Sequence, residues 1–328
     1  MPTFDVSALK EKKNLLAFSA GVDSSALFFL LLENHVVFDI ALVNYGTREE
    51  SHEEETYAYA LADKYHLKCY TIKAPTFTTH FEKNAREFRY NFFERLIEEH
   101  QYDNLLTAHQ LNDQLEWLLM RLVRGAGTSE LIGLEPKSQR KNYILVRPLL
   151  EWSKAELLEY LTKHSHHYFI DKSNTDEKYE RNRFRKEFSD KLIEHHKEGI
   201  KRSFDYLRKD KESLEEGFIQ IYEEDELRII KLKNPSIKVK ATDLTLKRLG
   251  YLLSASQRKE IEKEISLVIG GEWAVEFVLD TLYIAPFLTT NMPKKFKEKC
   301  RVLKIPHKIR VYCFEKRINI EKLASILG

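Results

Sequence analysis

Two short segments carry residues whose types and spacing could do chemistry. The first, Ser19-Ala20-Gly21-Val22-Asp23-Ser24-Ser25, follows the apolar run Asn14–Phe18 and opens a helical stretch. A strand–turn–helix of this kind aims free backbone N–H groups and the positive end of a helix dipole at the loop, which makes it an anion site. Gly21 allows close backbone approach, and Ser19, Ser24 and Ser25 offer hydroxyl donors to phosphate oxygens. Asp23 is the odd member. A carboxylate beside a phosphate repels it unless a cation lies between, so Asp23 implies Mg2+ or an amine there. The plain alternative is a turn with a Ser or Asp cap. Neither a Walker sequence nor GxGxxG occurs. The second segment is Thr107–Gly127, where His109 leaves a strand and Asp113 and Glu116 share a helix face one turn apart. Two such acids repel each other, and Mg2+ or an ammonium would relieve that. Acids complementing the helix dipole are the other reading. Arg121 and Arg124, with Gly125 and Gly127, end this helix and serve equally well as simple caps.

The elements that must position these residues alternate in kind over residues 1–150. Strand-like Asn14–Phe18, Val36–Asn44, Lys68–Lys73, Asn104–Ala108 and Ile144–Arg147 alternate with helical stretches at 23–32, 53–66, 81–99 and 112–123. Leu115, Leu118, Leu119 and Leu122 form the apolar face of the last of these helices. The pattern predicts an α/β fold, a doubly wound parallel sheet with right-handed crossovers. Ligands of such sheets sit at the carboxyl ends of the strands, where Ser19, Asn44 and His109 lie. After Ser153 the pattern turns helical, over 154–163, 181–194 and 196–216. Residues 226–287 mix strand-like Leu227–Leu232 and Trp273–Ala285 with helices near Thr242–Leu253 and Ser256–Val268. We therefore expect a catalytic domain over 1–195 and, over 196–328, a helical linker with a smaller mixed C-terminal region.

Composition excludes several classes. The 328 residues are 43% hydrophobic, enough for a core, and 53 Lys+Arg against 51 Asp+Glu make neither a polycation nor an acidic tail. The apolar run Ala26–Leu32 is too short to span a bilayer, and the N-terminus lacks a signal-peptide layout. Cys69, Cys300 and Cys313 form no CxxC. A cytoplasmic protein without membrane partners is expected. Positive charge is local: 291–310 holds six Lys and two Arg against one Glu.

The loop at 19–24 resembles SGGxDS, the pyrophosphate-binding loop of the PP-loop ATP pyrophosphatase superfamily, whose fold is adenine nucleotide α-hydrolase-like. Ala20 stands where a second Gly is usual, a strained choice if the backbone there takes positive φ. The second segment resembles the TAHxxDDQxET…RGxG block of the tRNA(Ile)-lysidine synthase family. His109, Asp113, Gln114, Glu116, Arg121, Arg124, Gly125 and Gly127 match it, while Asn112 and Trp117 replace an Asp and a Thr. Asn84-Ala85-Arg86 with Arg89-Tyr90 and Arg147-Pro148-Leu149-Leu150 resemble further family elements. So do Asp171, Ser173 and Asn174 with Arg181, Asn182 and Arg185, and the C-terminal Lys304–Arg310. The family's HHGLR block is changed to Asn44-Tyr45-Gly46-Thr47-Arg48, and Tyr45 could stack on a base but not titrate near neutrality.

The resemblance implies a two-step ligation. The C2 carbonyl oxygen of the wobble cytosine of isoleucine tRNA (CAU anticodon) attacks the α-phosphate of ATP and releases pyrophosphate. The ε-amine of free lysine then adds at C2 as AMP leaves, giving lysidine. ATP and Mg2+ are the implied cofactors, and the resemblance leaves room for a homodimer. By the same resemblance, Ser19, Ala20, Gly21, Val22, Asp23 and Ser24 bind the nucleotide, and Asp23 holds the metal. Asp23, His109, Asp113, Glu116 and Arg185 do the catalytic work, and Arg86, Arg89, Arg121, Arg124, Arg181 and Asn182 hold substrate. tRNA cytosine 2-thiolation is a rival, discounted for want of paired cysteines. The same residues would also suit another PP-loop tRNA-modifying enzyme or a non-catalytic RNA-binding relative.

Overall fold

The computed structural model describes residues 4–46, 50–77, 79–170 and 180–327. Thr47, Arg48, Asp171, Ser173 and Asn174, singled out above, lie outside them. The chain divides into two compact units, Met1–Arg208 and Lys209–Gly328.

The first unit opens with β1 (Asn14–Ala17), α1 (Val22–Glu33), β2 (Phe38–Asn44), α2 (Glu50–Tyr65), β3 (Cys69–Lys73) and α3 (Phe81–His100). β4 (Asn104–Leu106), α4 (Leu111–Leu122), α5 (Thr128–Leu131), β5 (Lys137–Gln139), β6 (Ile144–Val146) and α6 (Lys154–Lys163) follow. The sheet order is β3-β2-β1-β4-β6-β5, parallel throughout except for the edge strand β5. Alternate strand residues serve opposite faces. Leu16, Ile40, Leu42, Leu106 and Val146 join the core beneath α1, α2 and α6, while Leu15, Ala41, Leu105 and Leu145 pack on α3. This is the expected doubly wound parallel sheet. Strand order reverses about β1, which has β2 on one side and β4 on the other. The crevice between the carboxyl ends of β1 and β4 is thus the topological switch point.

Next come α7 (Glu180–Phe184), a π-helical turn at Arg185–Ser189 and α8 (Asp190–Glu215). α8 kinks at His196 (φ −132°, ψ 19°). Leu111, Leu115, Leu118 and Leu119 of α4 pack with Ile193, Ile200 and Phe204 of α8. Leu122 does not join them: it sits in the last turn of α4, 53% exposed.

The second unit holds β7 (Phe218–Glu224), β8 (Leu227–Leu232), α9 (Lys238–Arg248), α10 (Ala255–Lys263), β9 (Ser266–Ile269), β10 (Trp273–Val278) and β11 (Thr281–Pro286). α11 (Lys294–Val302), α12 (Arg310–Glu315) and α13 (Ile320–Leu327) close it. Its antiparallel sheet, in the order β7-β8-β11-β10-β9, is covered on both faces, by α9 and α10 on one and by the C-terminal helices on the other. One sequence expectation is corrected: the helix placed at Ser256–Val268 ends at Lys263, and Ser266–Ile269 is a strand. Leu267 and Ile269 alternate into the core, and Gly270 and Gly271, at φ 59° and 73°, make the turn into β10. Neither β5 nor β7 was anticipated. No described helix is long and apolar enough to cross a membrane.

Candidate active site

The loop after β1 is shaped by its backbone. Ala20 takes a left-handed conformation (φ 57°), and its carbonyl accepts a 2.9 Å hydrogen bond from Phe169 N. That φ costs an alanine about 1 kcal/mol relative to glycine, so the strain foreseen from the sequence is present. The Ala20 methyl group is completely buried in the core beneath α1, which offsets part of the cost. Ser24 Oγ accepts from Ser19 N (3.2 Å), donates to the Gly21 carbonyl (3.2 Å) and contacts Ser19 Oγ (3.0 Å), closing the turn. Gly21 caps α1 without any side-chain hydrogen bond. α4 and α6, by contrast, each begin with a complete capping box, Gln110 with Asp113 and Ser153 with Glu156. The first-turn N–H groups of α1 are those left for an anion.

Asp23, in the first turn of α1, is met by an amine. Lys154 Nζ lies 2.9 and 3.0 Å from its two carboxylate oxygens. Burial raises the Asp23 carboxyl above its ordinary pKa; Lys154 pulls it down, and the charge of Asp113 pushes it up. Asp23 and Asp113 are therefore electrostatic neighbours across the switch point. Lys154 escaped the sequence analysis. Its signal was Ser153-Lys154-Ala155-Glu156, a capping-box spacing that starts a helix just after the last parallel strand.

Asp113 and Glu116 are clamped by two arginines. Arg181 donates to Asp113 Oδ1 and, over 2.7 Å, to Glu116 Oε2. Arg185 donates to Glu116 Oε1 (2.6 Å) and Oε2 (3.1 Å) and lies 3.7 Å from Asp113 Oδ1. The other oxygen of Asp113 accepts from Gln110 N (3.0 Å), so both readings of this acid hold: it caps its helix and faces the cluster. Burial opposes the Asp113 charge, but Arg181, His109, the Gln110 N–H and Arg185 together hold its carboxyl below the ordinary value. Burial likewise opposes the charge on both arginines, and the two carboxylates still raise their pKa values. Arg185, at the start of the π turn that continues α7, lies four residues after Arg181 and so on the same side of the helix. His109 Nδ1 lies 3.0 Å from Thr107 Oγ1. Burial, with Arg147, Arg181 and Arg86 nearby, lowers its pKa to about 4 against the pull of Asp113, so the imidazole is neutral near pH 7.

The departures from the family pattern are built in. Asn112 donates to Asp190 Oδ1 (2.7 Å) and accepts from Lys154 N (3.1 Å), tying α4 to α8 and α6. An Asp at 112 would face Asp190 as a like charge. Trp117 Nε1 donates to the Glu130 carbonyl (3.1 Å), and its ring fills the space a Cβ on Gly133 would need, 2.0 Å away. Tyr45 OH donates to the Ala85 carbonyl (3.1 Å). Arg147, which the family block suggested, supports the fold: Nη1 donates to the Glu135 carbonyl (2.7 Å) and Ser138 Oγ (3.1 Å).

The remaining candidates sit outside this cluster. Arg86 lies over the Tyr90 ring at 4.9 Å, and Arg89 is exposed, its charge felt by Tyr45. Arg121 stacks on Trp117 at 4.4 Å, and Arg124 pairs with the exposed Glu180. Asn182 follows Arg181 in α7. Cys69 lies on β3, whereas Cys300 and Cys313 are buried in the second unit.

An uncapped helix N-terminus after β1, facing ionised groups after β4 of a doubly wound sheet, is the arrangement of a nucleotide-using α/β protein. Residues 3–192 match the family described as a PP-loop domain. A tRNA(Ile)-lysidine synthase of Campylobacter jejuni is 44% identical over 97% of this chain and 98% of its own length. One from Helicobacter pylori is 41% identical over 92% and 89%. Among solved structures, a U34-tRNA thiolase of Methanococcus maripaludis shares the fold at a TM-score of 0.51 and 20% identity, covering 62% of this chain and 74% of its own. The chain belongs to the tRNA(Ile)-lysidine synthase family, within the PP-loop proteins.

Proposed function

We propose that the protein ligates free lysine to C2 of the wobble cytosine of isoleucine tRNA through an adenylated tRNA intermediate, in the cytoplasm. One observation carries this reading: a phosphate-type turn with its own acid and an Asp–Glu pair share the crevice between β1 and β4. The Ser19–Ser24 turn and the N–H groups of α1 would hold the triphosphate of ATP and stabilise pyrophosphate as it departs. Asp23 offers one carboxylate, a donor set Mg2+ accepts when phosphate oxygens and water complete its shell. Bound there, Mg2+ would neutralise charge on the leaving group. Lys154 already supplies a cation at this carboxylate and can follow the phosphates.

The lysine ε-ammonium must be steered and deprotonated. Asp113, held below its ordinary pKa, is a weak proton acceptor and suits the steering role with Glu116. Asp23, raised above its ordinary value, is the better base in the second step, once the phosphates and their cation have left. Arg181 and Arg185 fix both carboxylates and can offset charge on the activated base. Neutral His109 can contact the base without adding charge. The cytosine must be splayed out of the anticodon loop to reach the crevice, and the basic stretch 291–310 is suited to tRNA phosphates. With all these groups in place, a non-catalytic relative is not favoured.

The test is incubation with ATP, labelled lysine and isoleucine tRNA bearing CAU. Label should enter the tRNA, with AMP and pyrophosphate formed one for one. Pyrophosphate release without lysine transfer, or no reaction by folded protein, would overturn the reading.

A further inference from the structure

α1 and α6 lie side by side on one face of the parallel sheet and run the same way. Asp23 and Lys154 join their N-terminal ends, and a cluster of different chemistry sits at the other. Glu33 is the last residue of α1, His164 closes α6, and His166 follows two residues later. One ligand atom from each lies within 4.8 Å of the other two, and His164 Nδ1 is 3.7 Å from Glu33 Oε1.

The chain builds this arrangement deliberately. Ser165 takes a left-handed conformation (φ 52°), and the N–H groups of Ser165 and His166 return to the carbonyls of Thr162 (3.1 Å) and Leu161 (2.9 Å). That turn brings both imidazoles to one side, nearly parallel at 17° with centroids 5.7 Å apart. The His166 ring is fixed by stacking on Phe29 at 3.6 Å and 5°. Its Nε2 is buried with no hydrogen-bond partner among the described residues. The negative ends of two helix dipoles also converge here with the Glu33 carboxylate, a combination that favours a cation.

We propose that Glu33, His164 and His166 bind one divalent transition-metal ion, of the zinc or nickel class, and so clamp the C-terminal ends of α1 and α6. Imidazole donors select this class over Mg2+, which prefers all-oxygen shells. Tetrahedral coordination with bonds of about 2 Å needs donor atoms about 3.3 Å apart. Exposed Glu33 and His164 can supply that by small side-chain rotations. Water completes the shell.

The test uses the full chain, stripped with chelator and titrated with Co2+ while its visible d–d bands are followed. Expected are one equivalent bound, displacement by Zn2+, no displacement by excess Mg2+, and a raised thermal midpoint. Glu33→Gln and His164→Ala, both at exposed positions, should each weaken binding at least about tenfold. His166→Phe, which keeps the stack on Phe29, should do the same. His195→Ala, in a separate exposed pair with His196, should leave affinity unchanged. Failure to bind at millimolar Co2+, or affinity in Glu33→Gln and His164→Ala equal to that of the parent, would overturn the proposal. So would a loss in His195→Ala as large as theirs. None of these readouts depends on ligase activity.

Discussion

The two acidic centres at the switch point are held in opposite ways. Asp113 and Glu116 meet two guanidiniums through several charge-assisted hydrogen bonds, and Glu116 is completely buried. Asp23 meets a single ammonium on a side chain that is 39% exposed. Planar arginine forks lock a geometry, whereas lysine is a point charge on a flexible stem. On the proposed reading, the first centre is thus built to stay, and the second to exchange partners when phosphates and a cation arrive. Their pKa values move apart accordingly, Asp113 down and Asp23 up. On the proposed reading, a site that must both steer and deprotonate the lysine ammonium gains from having acids of both kinds.

The largest expected effect comes from breaking the locked centre. Glu116→Ala leaves Arg181 and Arg185 with half their counter-charge and should cost about 3 kcal/mol in urea denaturation, along with lysine transfer. Parental stability would mean that the arginines hold nothing together. Asp113→Ala should impair lysine use more than ATP binding, read as a split between lysine and ATP dependence.

Breaking the labile centre should give the converse. Lys154→Met should lower pyrophosphate release about a hundredfold yet change stability by under about 1 kcal/mol, since the pair is partly solvated. Acid should separate the two centres in the parent protein. With its raised pKa, Asp23 takes up its proton above the usual carboxylate range as pH falls, and activity goes with it. Asp113 contributes stability above its unfolded pKa, lost only as pH falls through its lower folded value. The acid limb of the rate should therefore lie at higher pH than the acid unfolding of the cluster. In Lys154→Met it should move higher still, because Lys154 lowers the Asp23 pKa. Coincident limbs would erase the distinction.

Smaller effects sharpen the picture around the two centres. Asn112→Asp sets a carboxylate against Asp190 and should cost about 1–2 kcal/mol, recovered in the double variant with Asp190→Asn, as a denaturation cycle would report. Ala20→Gly relieves the left-handed backbone but gives up a buried methyl group and adds freedom to the unfolded chain. Its stability should stay within about 1 kcal/mol of the parent in thermal denaturation.

Much of the first unit was legible because short apolar strands and amphipathic helices differ in period, and the chemistry sits where strands end. The missed strands had weak signals. β5 is three polar-rich residues on an edge, and Ser266–Ile269 is a short apolar run that could equally extend a helix until the following glycines are weighed. In the site, Asp23, Asp113 and Glu116 were conspicuous, being acids beside a phosphate-type turn and one turn apart on a single helix face. Lys154 looked like any helix-start lysine, and Arg181 and Arg185, expected to hold substrate and to do catalytic work, gave no local sign that they pair with Asp113 and Glu116.

By itself, then, the sequence determined the alternation of elements, the position of the phosphate-type turn and the presence of acids near the strand ends, because these depend on local periodicity and residue chemistry. Only the tertiary structure decided which cation answers which acid. Asp23 and Lys154 are 131 residues apart, and Glu116 and Arg185 are 69 apart. Such pairings are set by strand order and helix packing, which no local pattern encodes.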